Sequence, residues 1–227
     1  MYFGIVRVLI VVVFLYLMWR NMRDDYHDKE LIKFSWSILL VFFLGGRLLY
    51  GLFNWGVWNE NWLDWVLVWV VPGFSYLGGY LSVLIYTVFS VNKYEWKLWN
   101  VLEDLSIIFT LFILALLISE FSFSGWTMEG LGRIISLAMV LILASMVSGK
   151  YRSFNWYYSG KKGFLFFWIN GWYSFIGLGM LFWLNQPLWM KLLYLTWNLL
   201  SVIGLFILGD VVRLLKIKNK KIVNESK

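Results

Sequence analysis

Four charged side chains stand inside long apolar stretches of this chain: Arg7, Arg47, Glu120 and Arg133. Three guanidinium groups at comparable depth have one chemistry in common. Each can donate two parallel hydrogen bonds to a phosphate through its planar fork. Arg47, Arg133 and Arg7 therefore read as a cationic pocket for an anionic lipid headgroup, with Glu120 as the candidate general base or catalytic carboxylate. A plainer alternative stands beside it. Arg7 and Arg133 can snorkel to an interface while Arg47 pairs with Glu120 as structural glue.

Other chemistry is thinly represented. The chain has no cysteine, which excludes disulfides, thiolate metal sites and a cysteine nucleophile. Its one histidine, His27, lies in a loop of mixed charge and is expected to be solvated. No metal site and no cofactor are expected. Glu103 and Asp104 fall where a helix over 101–123 should begin, and acidic groups there complement the helix dipole. Asn170 and Asn198 lie within apolar stretches and are expected to bond between helices. Gly45-Gly46, Gly78-Gly79, Gly171, Gly177 and Gly179 would let neighbouring backbones approach closely.

The elements that must position these groups follow from hydropathy and charge. A bilayer span needs about 20 mostly apolar residues. Seven stretches qualify, over 3–19, 34–53, 74–91, 101–123, 131–148, 164–184 and 192–209. Lysine and arginine gather in every second connecting segment. Segments 20–33, 92–100, 149–163 and the tail from 210 together hold 16 of the 20 basic residues. Segments 54–64, 124–130 and 185–191 hold only Lys191. By the positive-inside rule this predicts an all-α, polytopic membrane protein with seven transmembrane helices, N-terminus out and C-terminus in. Arg7, Arg47, Glu120 and Arg133 then fall near the outer face, and His27 falls on the inner side.

Trp55, Trp58, Trp62, Trp65 and Trp69 recur at spacings of three and four, which predicts a tryptophan-rich helix lying in the outer interface until Pro72-Gly73. Tyr157, Tyr158, Trp168, Trp183, Trp189 and Trp197 are expected to form an aromatic belt near helix ends. The first apolar stretch lacks a preceding basic region and a small-residue cleavage site, so it reads as a first helix rather than a cleaved signal. The domain organisation expected is a seven-helix transmembrane domain over 1–209 and a basic cytoplasmic tail over 210–227.

Composition agrees with this class. Hydrophobic residues make up 61% and charged residues 15%, against roughly 45–50% and 25% in soluble domains. The net charge of +7 is explained by basic loops facing an anionic leaflet, so nucleic acid is not expected as a partner. A small transporter or channel is a further possibility, but no chain of ionisable groups runs through the midplane.

Three motifs add a family likeness. Tyr2-Phe3-Gly4 opens the first helix, Gly45-Gly46-Arg47-Leu48-Leu49-Tyr50-Gly51-Leu52-Phe53 closes the second, and Gly73-Phe74-Ser75-Tyr76-Leu77-Gly78-Gly79 opens the third. In order and spacing the chain resembles the bacterial phosphatidylglycerol–prolipoprotein diacylglyceryl transferases. Their motifs run Trp-Tyr-Gly, Gly-Gly-Arg-x-x-Tyr-x-x-Phe and Gly-x-Ser-x-His-Gly-Gly. The basic loop that follows, Asp104 and Gly125 also fit. The resemblance implies a seven-helix protein of the bacterial cytoplasmic membrane that binds phosphatidylglycerol and passes its diacylglyceryl group to a cysteine thiol of a lipoprotein precursor. It implies motif or packing roles for Gly45, Gly46, Tyr50, Ser75, Gly78 and Gly79. The chain departs from the family at Leu77, where the family has histidine, and at Ile118, Phe121 and Ile176, where it has arginine, asparagine and arginine. A divergent member follows, and a catalytically inactive relative that binds phospholipid or a partner membrane protein is its alternative.

Overall fold

In the computed structural model the described residues are 2–53, 73–125, 127–154, 157, 159–183, 185 and 188–210. They form seven α-helices and no strand. We number the helices α1 (Tyr2–Met22), α2 (Asp28–Phe53), α3 (Tyr76–Tyr94), α4 (Leu98–Ser124), α5 (Met128–Ser148), α6 (Phe164–Trp183) and α7 (Leu188–Gly209), with a short 3₁₀ turn at Tyr151–Ser153. The tryptophan-rich segment 54–72 and the basic tail 211–227 lie outside the described residues.

All seven expected helices are present, and six are long and apolar enough to cross a membrane. The exception is α3. At 19 residues its length suffices, but Gly78, Gly79, Ser82, Thr87, Ser90, Asn92 and Lys93 dilute its apolar character. Several helices outrun the predicted spans at one or both ends: α2 begins at Asp28 rather than 34, and α4 at Leu98 rather than 101. Hydropathy detects only the apolar middle of a helix, whereas hydrogen bonding carries the helix on into polar sequence. Ser75 caps α3 by accepting from the Gly78 N–H at 3.1 Å, and Thr127 caps α5 by accepting from Gly130 at 3.1 Å. Buried hydroxyls return to their own helices, as when Ser35 donates to the Leu31 carbonyl and Thr87 to Val83. That satisfies polar groups that hydrocarbon cannot.

The chain divides into two compact units. One comprises residues 11–101, and the other residues 1–10 together with 102 onward. In the first unit α2 and α3 pack along much of their length, with Phe34, Ile38, Phe42 and Val83 buried. At the loop end of this unit Trp96 is enclosed by Tyr26, Tyr94 and Phe34 at ring separations of 4.5–5.2 Å.

In the second unit α6 packs against both α5 and α7. One core gathers Tyr151, Tyr157, Phe164, Leu165 and Leu208. Another gathers Val140, Ala144 and Ile169. The expected interhelical bonds of the two asparagines are formed along α6 and α7. Asn198 Nδ2 donates to the Gly171 carbonyl at 2.8 Å, and Trp197 Nε1 donates to Asn170 Oδ1 at 3.1 Å. Trp197 is therefore not a belt residue. It stands ten residues into α7, because that helix starts at Leu188, and its indole N–H is used between helices. Tyr157 is not a belt residue either: it is buried, and its hydroxyl donates to the Lys161 carbonyl at 2.6 Å. Trp183 and Trp189 do stand exposed at helix ends.

Candidate lipid-binding site

The motif residues of α2 and α3 meet at the closest approach of the two helices. A Cβ built on Gly45 would lie 1.9 Å from Ser82 Oγ, and one on Gly78 would lie 2.5 Å from Leu49 Cβ and 2.8 Å from the Gly45 carbonyl. On Gly79 it would strike the Phe42 ring at 2.6 Å, and on Gly46 the Phe74 ring at 2.3 Å. Two pairs of glycines thus remove the side chains that would hold these backbones apart.

The close approach brings residues 73–75 onto the last turns of α2. The Ser75 N–H donates to the Gly46 carbonyl at 3.0 Å, and Arg47 Nη1 donates to the Gly73 carbonyl at 2.5 Å. Gly73 has φ of +132°, a backbone region that residues with a Cβ rarely adopt, and its missing side chain leaves room for the Tyr50 ring. Phe74 packs on Phe42 at 5.1 Å between ring centres. Arg47 itself is 1% exposed. A guanidinium this deeply enclosed loses most of its hydration, so polar or anionic groups arranged around it decide its stability. The Gly73 carbonyl supplies one such group.

Arg7, Glu120 and Arg133 belong to the other unit. Arg7 is half-buried in α1, Glu120 is half-buried near the end of α4, and Arg133 is exposed in the second turn of α5. Each of the three is engaged in an interaction. Leu77, at the family's histidine position, lies in the first turn of α3 and is half-buried. His27 is exposed immediately before α2. Among the described residues no group of three or more His, Cys, Asp or Glu side chains could hold a metal ion.

A second polar cluster was misread from the sequence. Glu103 does not sit in the first turn of its own helix, since α4 begins at Leu98. Its carboxylate is 6% exposed and serves a different helix. Oε1 accepts from the Tyr151 hydroxyl at 2.7 Å, while Oε2 accepts from the Gly163 N–H at 2.6 Å and the Leu165 N–H at 3.4 Å. It therefore caps the start of α6, 60 residues away, with its charge against the positive end of the helix dipole. Arg152 Nε donates to the Tyr151 hydroxyl at 3.2 Å, and Lys162 pairs with Asp104 at 3.9 Å.

Burial, and then the hydrogen bond to Glu103, push the Tyr151 phenol up to about 12. The bond to Tyr151 moves Arg152 upward, and burial does the same for Tyr157. The signal for this cluster was present in the sequence as an acidic pair, 103–104, and a basic loop, 149–163. Only the fold shows that they meet.

The glycine packing of the outlying residues is uneven. Gly177 makes room for Tyr194 and Gly204 for Phe167, but Gly179 faces open space and Gly171 makes only ordinary contact. No protein-family model matches the chain, and no curated protein matches it.

Proposed function

We propose that this chain is a phospholipid-binding protein of the bacterial cytoplasmic membrane, similar in design to the prolipoprotein diacylglyceryl transferases, with Arg47 receiving the phosphate of an anionic headgroup such as that of phosphatidylglycerol. The observation that carries the reading is the hydrogen bond from Arg47 Nη1 to the Gly73 carbonyl. It joins the Gly-Gly-Arg segment to the Gly-x-Ser-x-x-Gly-Gly segment, so that two motifs read independently in the sequence become one corner. The alternating loop charges support an N-terminus outside and a C-terminus in the cytoplasm.

The test is the lipid that purifies with the protein. Extraction of wild-type protein from phosphatidylglycerol-containing membranes should recover that lipid in preference to zwitterionic lipids. Arg47→Ala should weaken retention about 10- to 100-fold, the range for losing a hydrogen bond to a charged group. Equal lipid profiles in the two proteins would overturn the reading.

Transfer chemistry is a second reading, favoured by the retained Gly-Gly-Arg corner. In it the cysteine sulfur of a lipoprotein precursor forms a bond to the terminal glyceryl carbon. The carbon–oxygen bond to the phosphate breaks, and glycerol phosphate departs with the electron pair. The thiol proton needs an acceptor, and Glu120 is the candidate for that role. Leu77, at the family's histidine position, weighs against this reading. A mass increase of one diacylglyceryl group on a cysteine peptide supplied with the folded protein and phosphatidylglycerol would establish it, and Glu120→Gln should then abolish that increase.

A further inference from the structure

The loop joining α5 to α6 is not an ordinary solvated basic loop. Glu103 holds both of its ends, taking the Tyr151 hydroxyl from one side and the Gly163 N–H from the other. Tyr151 stacks on Phe164 with ring centres 4.8 Å apart and planes 3° from parallel. Tyr157 is buried edge-on against Phe164 at 5.0 Å, and its hydroxyl holds the Lys161 carbonyl. Ser159 Oγ donates to the Leu208 carbonyl at the end of α7. Among the described residues of the loop, these attachments hold the segments on which Lys150, Arg152, Lys161 and Lys162 stand.

The charges are gathered as well as fixed. Arg152 is drawn to Tyr151, beside the Glu103 carboxylate, and Lys162 is drawn to the neighbouring Asp104. Asp104 thus pairs with one cation, and a second bonds the hydroxyl that Glu103 holds. The side chains of Lys150 and Lys161 stand exposed, while their backbone carbonyls accept from Ser153 and Tyr157. The helices on either side, ending at Ser148 and starting at Phe164, are both long and apolar enough to cross a bilayer. The loop therefore stands at a membrane face, where phosphates of anionic lipids lie within reach.

We propose that this pinned loop is an anionic phospholipid site, with Lys150 and Lys161 meeting the headgroup phosphate and Arg152 and Lys162 setting the surrounding field. Preorganisation distinguishes it from a flexible basic tail. Ordering a loop around a ligand costs conformational entropy, and here folding has already met that cost. The site is separate from Arg47 and stands whether or not the Arg47 reading does.

The full-length protein in detergent would be titrated with phosphatidylglycerol or phosphatidylcholine, with bound lipids resolved by native mass spectrometry. Wild type should bind phosphatidylglycerol preferentially, and rising salt should weaken the binding. Lys150→Gln and Lys161→Gln should each weaken it about five-fold, and the pair about twenty-five-fold. Lys150→Arg and Lys161→Arg should restore it. Native mass spectra count bound lipids, so the lysine variants should lose one phosphatidylglycerol and keep the one assigned to Arg47. Undiminished phosphatidylglycerol binding by the double glutamine variant would overturn the proposal. So would equal binding of phosphatidylcholine, or displacement of the lipid by equimolar inorganic phosphate, which would mark a site for free anions.

Discussion

Replacing Glu103 with alanine should destabilise the second unit more than any surface change, and its cost can be worked from the contacts. The carboxylate accepts the Tyr151 hydroxyl at 2.7 Å and the Gly163 N–H at 2.6 Å, with a longer contact from Leu165 at 3.4 Å. Alanine accepts none of them. A buried donor left without its acceptor costs about 1–3 kcal/mol. Arg152 still donates to the Tyr151 oxygen, but the Tyr151 hydroxyl proton is left without an acceptor. The weak Leu165 contact adds little. Two principal donors and the lost charge at the dipole give about 3–5 kcal/mol. In a chain of this length each kcal/mol corresponds to about 2–4 °C, so melting should fall by about 6–20 °C.

Glu103→Gln keeps one carbonyl acceptor and should lose about half as much. Thermal unfolding in detergent would measure the totals. Amide hydrogen exchange at Gly163 and Leu165 would locate the loss, since those protons should exchange faster in the alanine variant. A double-mutant cycle with Tyr151→Phe should show coupling, because the two residues share one hydrogen bond. An unchanged melting temperature with unchanged exchange at residues 163 and 165 would refute the capping role.

Other expectations separate packing from chemistry. Gly78→Ala should destabilise the α2–α3 pair by about 1–3 kcal/mol, because the new methyl meets Leu49 Cβ and the Gly45 carbonyl. Gly179→Ala, with nothing within 4 Å, should instead be neutral or stabilising by up to about 1 kcal/mol, and thermal melts of the two variants would show the contrast. Tyr151 should resist ionisation until about pH 12 in the folded protein but ionise near 10 when unfolded. Its stabilising contribution is therefore complete below pH 10 and is lost as pH rises toward 12; denaturation midpoints across that window should fall less steeply in Tyr151→Phe. Trp197→Phe removes the bond to Asn170 and should cost about 0.6 kcal/mol, the mean for hydrogen bonds between membrane helices, readable by denaturant titration in detergent.

The helices were legible because their signal is local. Runs of apolar residues announce themselves without any knowledge of neighbours, and the seven expected stretches correspond to the seven helices among the described residues. Their ends were less legible, since residues such as Asp28 and Leu98 extend a helix through hydrogen bonding that hydropathy does not register. The aromatic residues divide in the same way. Trp183 and Trp189 stand at helix ends as their positions imply, whereas Trp197 and Tyr157 are used inside the structure, one by Asn170 and the other by the Lys161 carbonyl.

From the sequence alone came the membrane character, the seven helices found among the described residues, the interhelical role of Asn170 and Asn198, and the motif segments around Arg47 and Gly78. Each depends on residue type and on spacing along one segment. Tertiary structure alone decided that Gly73 offers its carbonyl to Arg47, that Gly45 faces Gly78, and that Glu103 closes the start of a helix 60 residues onward. The physical reason is the reach of the forces involved. Transfer of an apolar residue out of water depends on that residue and its immediate run. A hydrogen bond or a glycine contact requires two partners within a few ångströms, and their separation along the chain carries no record of that distance.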